Sequence, residues 1–386
     1  MDMKWKRSAG KRRATIAWAL VTVMPPMIAI SKGKPDDKAM RAALRQRGFN
    51  AKRRAECPQD TAVILNWLSR NTKLVSALTD PAVMRTVLDA AATQLNVRPA
   101  ALWTARTNNA ILANAIEYPI ELRILRSNPI KTLKWKAPKT TQEVDRRCVV
   151  NPAQARRLLD AVRRQMPSGP RLVAFFAMIY YAALRPEEAV NLHRDNITLP
   201  ALVRNATTGG WEEPTDNWGK LRFCSAAPEV GSEWTDDGTR RERRQQLKSR
   251  PVGEWRVVPV PPPLTRLLRT HLEAFGIGPG GRVFSGVYGD ELASITYRRV
   301  WDKARRAALT PSDYASPLAE RVYDLRHACV STWLNGGVPP AQVAEWAGHS
   351  VAVLLKVYAK CVDGRDQIAK RRIEDALRDS EESIPH

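Results

Sequence analysis

Residues 171–184 read RLVAFFAMIYYAAL, and this run constrains the fold more than any other part of the chain. Almost every side chain in it is apolar, so a helix formed here is buried on all sides. The run has 14 residues, whereas a membrane-spanning helix needs about 20. A buried helix requires other elements packed around it, which predicts a sizeable core in the second half of the chain. The helix also delivers Arg185 to the edge of that core, where an arginine costs several kcal/mol unless an anion meets it.

The remaining patterns are mostly helical. Apolar residues recur at three- and four-residue spacing over residues 11–23, 61–69, 80–95, 99–116, 151–166, 261–275 and 294–309. Strand signals are confined to the middle of the second half. Residues 220–224 alternate, and residues 245–248 and 255–260 flank a Pro/Gly turn and predict a hairpin. The predicted fold class is mainly α with a small antiparallel β-sheet.

The charge distribution indicates where a polyanion binds. The chain carries a net charge of +23. Residues 1–150 hold 28 basic and 11 acidic side chains, an excess of 17. Such an excess favours a nucleic-acid partner and salt-sensitive binding. We therefore predict a basic helical domain over residues 1–130, a basic linker over 131–150 and a second domain over 151–386, which opens with the helix start Asn151-Pro-Ala-Gln.

The N-terminus resembles a signal peptide, because basic residues 1–13 precede the largely apolar residues 14–30. The prolines Pro25 and Pro26 interrupt that apolar segment, and no small-residue cleavage site follows it. An amphipathic helix is the better interpretation, with no membrane partner. The five cysteines are odd in number and contain no CxxC pair, which favours a reduced, cytoplasmic protein without a disulfide framework or zinc site.

Four short motifs in order carry the chemistry. They are Ala183-Leu-Arg185-Pro-Glu-Glu188, Tyr323-Asp-Leu-Arg326-His327, Gly348-His349-Ser350 and Val357-Tyr358-Ala359. Arginine guanidinium groups fork onto phosphate oxygens. A tyrosine oxygen can attack phosphorus and form a covalent phosphotyrosine. Each tripeptide is common by itself, but the ordered set, with its two arginines, histidine and tyrosine, is specific.

The set closely resembles the tyrosine recombinase (phage integrase) family of the lambda integrase type. The resemblance implies a two-domain C-shaped DNA clamp, with residues 1–130 as the core-binding domain. It also implies that Tyr358 is the nucleophile, that Arg185 and Arg326 neutralise the phosphate, and that His349 donates a hydrogen bond. In the family, a hairpin lysine protonates the leaving oxygen. Lys248 matches that lysine by position, and Lys220 on the earlier strand is the alternative.

The chain departs from the family pattern at two places. Most members have histidine where this chain has Tyr323, and a phenol with a pKa near 10 is a poorer proton acceptor near neutral pH. We expect Tyr323 only to support the phosphate. His327 is expected to pack, because neighbouring side chains on a helix point about 100° apart. The separate arm-binding domain of longer members is also not expected ahead of the first helix.

The implied function is site-specific integration or excision of a mobile element through a 3′-phosphotyrosine, without metal, nucleotide or other cofactor. The implied partners are double-stranded DNA with attachment-type sites, three further copies in a homo-tetramer, and an excisionase or host DNA-bending protein. Residues 366–377 form an amphipathic segment that would dock on a neighbouring subunit or on its own domain. Two alternatives stay open. One is DNA relaxation of the type IB topoisomerase kind, and the other is a catalytically silent DNA-binding relic.

Overall fold

A computed structural model of the chain describes residues 2–94, 98–133, 143–205, 207–212, 214, 216–243, 247, 251, 253–358, 370–371 and 373–374. These residues form two compact units. Unit 1 comprises Met1–Thr141 together with Val230–Glu242, and unit 2 comprises Gln142–Glu229 together with Arg243–His386. Residues 134–142 of the predicted linker and most of the C-terminal segment 366–377 fall outside the described residues.

The described part of unit 1 is mainly helical. Its helices are α1 (Asp2–Trp5), α2 (Gly10–Thr22), α3 (Asp37–Ala43), α4 (Gln59–Asn71), α5 (Pro81–Ala91), α6 (Leu102–Glu121) and α7 (Pro129–Thr132). The amphipathic α2 ends just before a 3₁₀ turn that contains both prolines, because proline cannot continue a helix. Met84 and Leu88 of α5 pack with Leu112 and Ile116 of α6 in the largest apolar cluster of this unit.

Residues 230–242 belong to unit 1, although the chain before and after them belongs to unit 2. The guanidinium of Arg13 is buried and donates to both carboxylate oxygens of Asp236, at 2.6 and 3.1 Å. The Trp5 and Trp234 rings lie 5.9 Å apart, and Arg13 also donates to the carbonyl oxygen of each tryptophan. This segment is therefore held against α2 by the Arg13–Asp236 ion pair, in which only Arg13 is buried, and against α1 by the aromatic contact.

Unit 2 combines helices with short strands. Its elements are α8 (Pro152–Arg163), α9 (Gly169–Ala182), α10 (Pro186–Val190), β1 (Ile197–Thr198), β2 (Val203–Arg204), β3 (Trp211–Glu212), β4 (Gly219–Phe223), β5 (Arg256–Val260), α11 (Pro262–Phe275), α12 (Ser294–Ala308), α13 (Pro311–Ala315), α14 (Asp324–Asn335), α15 (Pro340–Ala347) and α16 (Val351–Tyr358). The predicted start of α8 is confirmed, since Asn151 and Gln154 form a reciprocal capping box. The predicted fold class, mainly α with a small antiparallel sheet, is confirmed.

The sheet has the order β1-β4-β5, with both pairs antiparallel. Leu221 of β4 lies opposite Val258 of β5, and both are buried. Strand β5 pairs with β4 along its whole length. The predicted pairing of residues 255–260 with 245–248 stays a prediction. Residues 245, 246 and 248 lie outside the described residues. Strands β2 and β3 form a separate two-stranded hairpin between β1 and β4.

Helix α9 is the centre of unit 2, as the apolar run predicts. Its side chains from Leu172 to Tyr180 are all buried, and α8, α11 and α14 pack around it. The residue after the helix is Ala183, whose φ of 50° is left-handed and therefore uncommon for a residue with a Cβ atom. That turn redirects the chain into α10. Within the described residues, no helix is long and apolar enough to cross a membrane.

Candidate active site

The first part of the site is the turn between α9 and α10, which presents Arg185 and Glu188 together. Arg185 lies immediately before α10, and its backbone N–H donates to the Glu188 carboxylate at 2.8 Å. Its guanidinium donates to the other oxygen of the same carboxylate at 2.7 Å and to the carbonyl oxygen of Gly348 at 2.9 Å. Burial lowers the pKa of Arg185, but the charge of Glu188 and the hydrogen bond that Arg185 donates to Glu188 raise this pKa above its ordinary value.

A second arginine, Arg256 at the start of β5, meets the same carboxylate from the other side. It is fully buried and donates to both Glu188 oxygens at 3.0 and 2.7 Å. The sequence analysis did not assign this residue to the site. The strand pattern could have identified it. Side chains alternate between the two faces of a strand, so Arg256 lies on the same face as the buried Val258 and Val260 and points into the core.

Arg326 of α14 is also fully buried, but its partners differ. One terminal nitrogen donates to the carbonyl oxygen of Ala183 in the left-handed turn after α9. The other donates to the carbonyl oxygen of Ala347 at the end of α15 and lies 2.8 Å from Nε2 of His349. Its Nε has no hydrogen-bond partner among the described residues. Helices α9, α14 and α15 therefore converge on this guanidinium.

Gly348 separates α15 from His349, and the site requires glycine there. Its φ is +65°, which side chains disfavour. A Cβ atom at this position would lie 2.5 Å from Nη1 of Arg256 and 3.5 Å from Nη1 of Arg185. Only glycine lets the backbone approach both guanidinium groups this closely, so the Gly-His-Ser motif has a direct structural cause.

His349 and His327 bring two imidazoles to Tyr358, the last residue of α16. The Tyr358 ring is buried and lies 6.3 Å from the His349 ring, between centroids. Its hydroxyl is 2.9 Å from Nδ1 of His327. The expectation that His327 only packs is therefore wrong. Burial, followed by the charge of Arg326, lowers the pKa of His349 to about 3.

The charges of this cluster do not balance. Three guanidinium groups, those of Arg185, Arg256 and Arg326, act on a single buried carboxylate, that of Glu188. Burial alone would raise the pKa of Glu188, but the three arginines hold it well below its ordinary range. Within the part of the chain that the structure describes, the cluster therefore has an excess of positive charge. An anion that enters it would be stabilised by charge and by forked hydrogen bonds.

The remaining sequence candidates fall into three cases. Tyr323 lies just before α14 with its ring 5.8 Å from the Arg326 guanidinium carbon, so it belongs to the cluster. Lys220 is on β4 with its side chain exposed. Lys248 lies outside the described residues. In the described ranges, no group of three or more His, Cys, Asp or Glu side chains could hold a metal ion.

Comparison with known proteins identifies the fold. No protein-family profile matches the sequence, and no curated protein matches it either. Among solved structures, the Tn1549 transposon integrase in complex with circular intermediate DNA aligns over 88% of this chain and 99% of its own chain, with 13% identity and a TM-score of 0.52. Another structure of that integrase, with a different circular intermediate, has 12% identity and a TM-score of 0.53, over 88% of this chain and 99% of that one.

The XerH site-specific recombinase bound to its difH substrate aligns over 95% of both chains with 12% identity and a TM-score of 0.49, which is too low to support a shared fold by itself. The two alignments with the Tn1549 integrase, at TM-scores of 0.52 and 0.53, show that the chain has the fold of tyrosine recombinases. The resemblance inferred from the four motifs is confirmed at the level of fold.

Proposed function

We propose that this chain is a tyrosine site-specific recombinase of the integrase type, which cuts and rejoins DNA strands through a 3′-phosphotyrosine intermediate. The observation that carries the proposal is the excess positive charge around Arg185 and Arg326, with Tyr358 beside it. A buried cluster with more guanidinium groups than carboxylates is stable with an anion, and a DNA phosphate is such an anion. The adjacent tyrosine supplies a nucleophile for it.

In the proposed reaction, Tyr358 attacks the scissile phosphate in line and the 5′-oxygen leaves. Arg185 and Arg326 stabilise the charge that develops on the non-bridging oxygens, which is the dominant contribution in phosphoryl transfer. Glu188 orients Arg185 through its bidentate contact, and Arg256 holds Glu188. Nε2 of His349 accepts from Arg326, so His349 donates its further hydrogen bond to the phosphate from Nδ1, and Tyr323 supports the phosphate. Every group in this mechanism is a side chain, so no cofactor is required.

Lys248 is proposed to protonate the leaving 5′-oxygen, with Lys220 as the alternative donor. A 5′-bridging phosphorothiolate distinguishes them, because sulfur leaves without protonation. Lys248→Ala should cleave ordinary DNA very slowly and the phosphorothiolate near the parent rate, whereas Lys220→Ala should lose little on either. Sulfur rescue of the Lys220 variant alone would move the general acid to β4.

The partners follow from the same proposal. Duplex DNA with attachment-type sites is the substrate, and the basic excess of residues 1–150 supports contact of unit 1 with its backbone. Exchange between two duplexes requires a homo-tetramer, and an excisionase or host DNA-bending protein would set the direction. We place the reaction in the cytoplasm and assign it to the integration or excision of a mobile element.

Trapping a covalent complex tests the nucleophile. The probe is a pool of nicked duplexes with a randomised core, in which the short strand beyond the cut diffuses away and leaves the protein on DNA. The parent should form an adduct that resists denaturant. Tyr358→Phe should form none while retaining DNA binding, because only the attacking oxygen is lost. An adduct with Tyr358→Phe would show that another residue is the nucleophile.

The alternatives from the sequence become outcomes of the same assay. A parent protein that binds DNA but never forms an adduct would be a silent relic. An adduct-forming protein that relaxes supercoiled DNA but never exchanges strands between two duplexes carrying the enriched sequence would be a topoisomerase. Strand exchange between them is the result that the proposal expects.

A further inference from the structure

His327 and Tyr358 form a direct pair between α14 and α16. Nδ1 of His327 lies 2.9 Å from the Tyr358 hydroxyl oxygen, and the two rings are 5.6 Å apart between centroids. Arg326 and His327 are adjacent on α14, so their side chains diverge by about 100°. One reaches the turn after α9 and the end of α15, and the other reaches α16. The same helix thus supplies the candidate phosphate ligand and a contact to the nucleophile.

The protonation state of His327 makes it an acceptor. Burial, followed by the charges of Arg321 and Arg326, lowers the pKa of His327 to about 4. The ring is therefore neutral near pH 7. With its hydrogen on Nε2, the neutral ring presents a lone pair at Nδ1 toward the Tyr358 hydroxyl, which donates.

We propose that His327 is the general base that takes the Tyr358 proton during cleavage. The inference rests on the proposed recombinase function and adds a residue to it. As Oη of Tyr358 bonds to phosphorus, the phenolic proton moves to Nδ1 of His327. The bond from phosphorus to the 5′-oxygen breaks, and that oxygen receives a proton from the general acid. In the rejoining step His327 returns its proton to Tyr358, so the ring is neutral again after each cycle.

Tyr323 is less suited than His327 to accept this proton, because a phenol is a poorer proton acceptor than an imidazole near neutral pH. The Tyr323 ring lies edge-on to His327, with the ring centroids 5.1 Å apart. The base therefore follows the arginine by one residue in this chain. Its position on α14 still brings it to the nucleophile, because α16 packs on that side.

The charged and titratable groups that face His327 are Arg321, Arg326 and Tyr323 from its own side, Tyr358 from α16, and His349 from the turn before α16. Arg326 lowers the basicity of His327 through its charge. A phosphate bound to Arg326 offsets that charge, so His327 becomes a stronger base when DNA occupies the site. The proton acceptor is thus strengthened by the substrate that it acts on.

The test is the pH dependence of adduct formation by His327→Asn on duplexes enriched with the parent protein. Asparagine places an amide near the position of Nδ1, so it keeps a hydrogen bond but accepts no proton. The variant should cleave about 10² to 10⁴-fold more slowly at pH 7. Its rate should then rise about tenfold per pH unit toward the pKa of the phenol, because only preformed tyrosinate attacks. The parent rate should be flat over the same range.

His193→Asn is the matched control, because it makes the same substitution in unit 2 away from this pair, and it should keep the parent rate and profile. A uniform loss at all pH values for His327→Asn would indicate positioning alone, and an unchanged rate would remove His327 from the mechanism. Either result overturns the proposal. Comparing folded fractions by circular dichroism excludes misfolding as the cause of a loss.

A measurement without DNA separates this inference from the proposed function. In ¹⁵N-histidine-labelled protein, the Nδ1 resonance of His327 should have the shift of an unprotonated acceptor, and Tyr358→Phe should move it. A protonated Nδ1, or a signal indifferent to Tyr358→Phe, overturns the base role even if cleavage occurs. Failure of the parent to form any adduct would instead reject the recombinase proposal, and with it the catalytic step assigned to His327.

Discussion

Arg256 and Arg326 are both fully buried in unit 2, yet they are compensated in opposite ways. Arg256 places both terminal nitrogens on the Glu188 carboxylate, so its charge is neutralised within the fold. Arg326 contacts two backbone carbonyl oxygens and His349, and no carboxylate contacts it in the described residues. The first arrangement is that of a structural ion pair. The second leaves a desolvated charge for a ligand to meet.

This difference explains how the cluster is built before any anion arrives. Burial lowers the pKa of Arg256 to about 10, which still leaves it charged near pH 7. Its contact with Glu188 orients the carboxylate, and the carboxylate in turn orients Arg185. Carbonyl dipoles at the ends of α9 and α15 hold Arg326 without cancelling its charge. Glu188 therefore positions Arg185 and Arg256, whereas no carboxylate in the described residues neutralises Arg326, which contacts His349.

The largest expected effect is on cleavage by Arg326→Met. Removing a guanidinium that stabilises transition-state charge should slow adduct formation by about 10³-fold or more. Arg326→Lys should recover only part of that rate, because an ammonium cannot fork onto two oxygens. Both rates are measured at saturating DNA. Arg326→Met that cleaves within a few-fold of the parent would mean that its charge does not serve the phosphate.

For stability, the larger effect is expected at Arg256 and the smaller one at Arg326. Arg256→Met breaks the buried pair and leaves Glu188 with Arg185 as its nearest partner, which should lower the free energy of unfolding by about 3–5 kcal/mol. Arg326→Met should cost clearly less, because its loss strands no carboxylate. Urea unfolding of both variants tests this, with Glu188→Gln in the Arg256→Met background as the control that should restore part of the loss. Equal costs for the two arginine variants would contradict the comparison.

The sequence predicts those parts of the fold and the site that a continuous run or a motif carries. The apolar run predicts α9, and the resemblance carried by the four motifs implies that Arg185, Arg326, His349 and Tyr358 form one site. Arg256 was missed because its partner Glu188 is 68 residues away. The helical spacing of α14 alone predicts that His327 packs, whereas its contact is with Tyr358 of α16, 31 residues further on. Contacts between distant segments depend on packing, and a linear pattern does not contain it.

The smallest expected effect is the pH dependence of stability. It distinguishes the Arg256–Glu188 ion pair from the uncompensated charge of Arg326 beside His349. Burial, with nearby arginines, lowers the pKa of His349 to about 3 and that of His327 to about 4. An unfolded histidine titrates near 6.5, so below that pH the unfolded chain binds more protons and stability falls as pH falls. Glu188, with a lowered pKa, loses its contribution only below the usual carboxylate range near 4.3.

Between pH 7.5 and 5.5, His327 and His349 should therefore lower the free energy of unfolding by about 1 kcal/mol each, and Glu188 should not change it. His349→Asn should flatten the urea-unfolding profile by that amount over this window, and Glu188→Gln should lower the whole profile without changing its slope. A steeper slope in Glu188→Gln, or an unchanged slope in His349→Asn, would show that the histidines are not held neutral beside Arg326. The charge there would then already be screened, and Arg326 would offer a phosphate no more than Arg256 does.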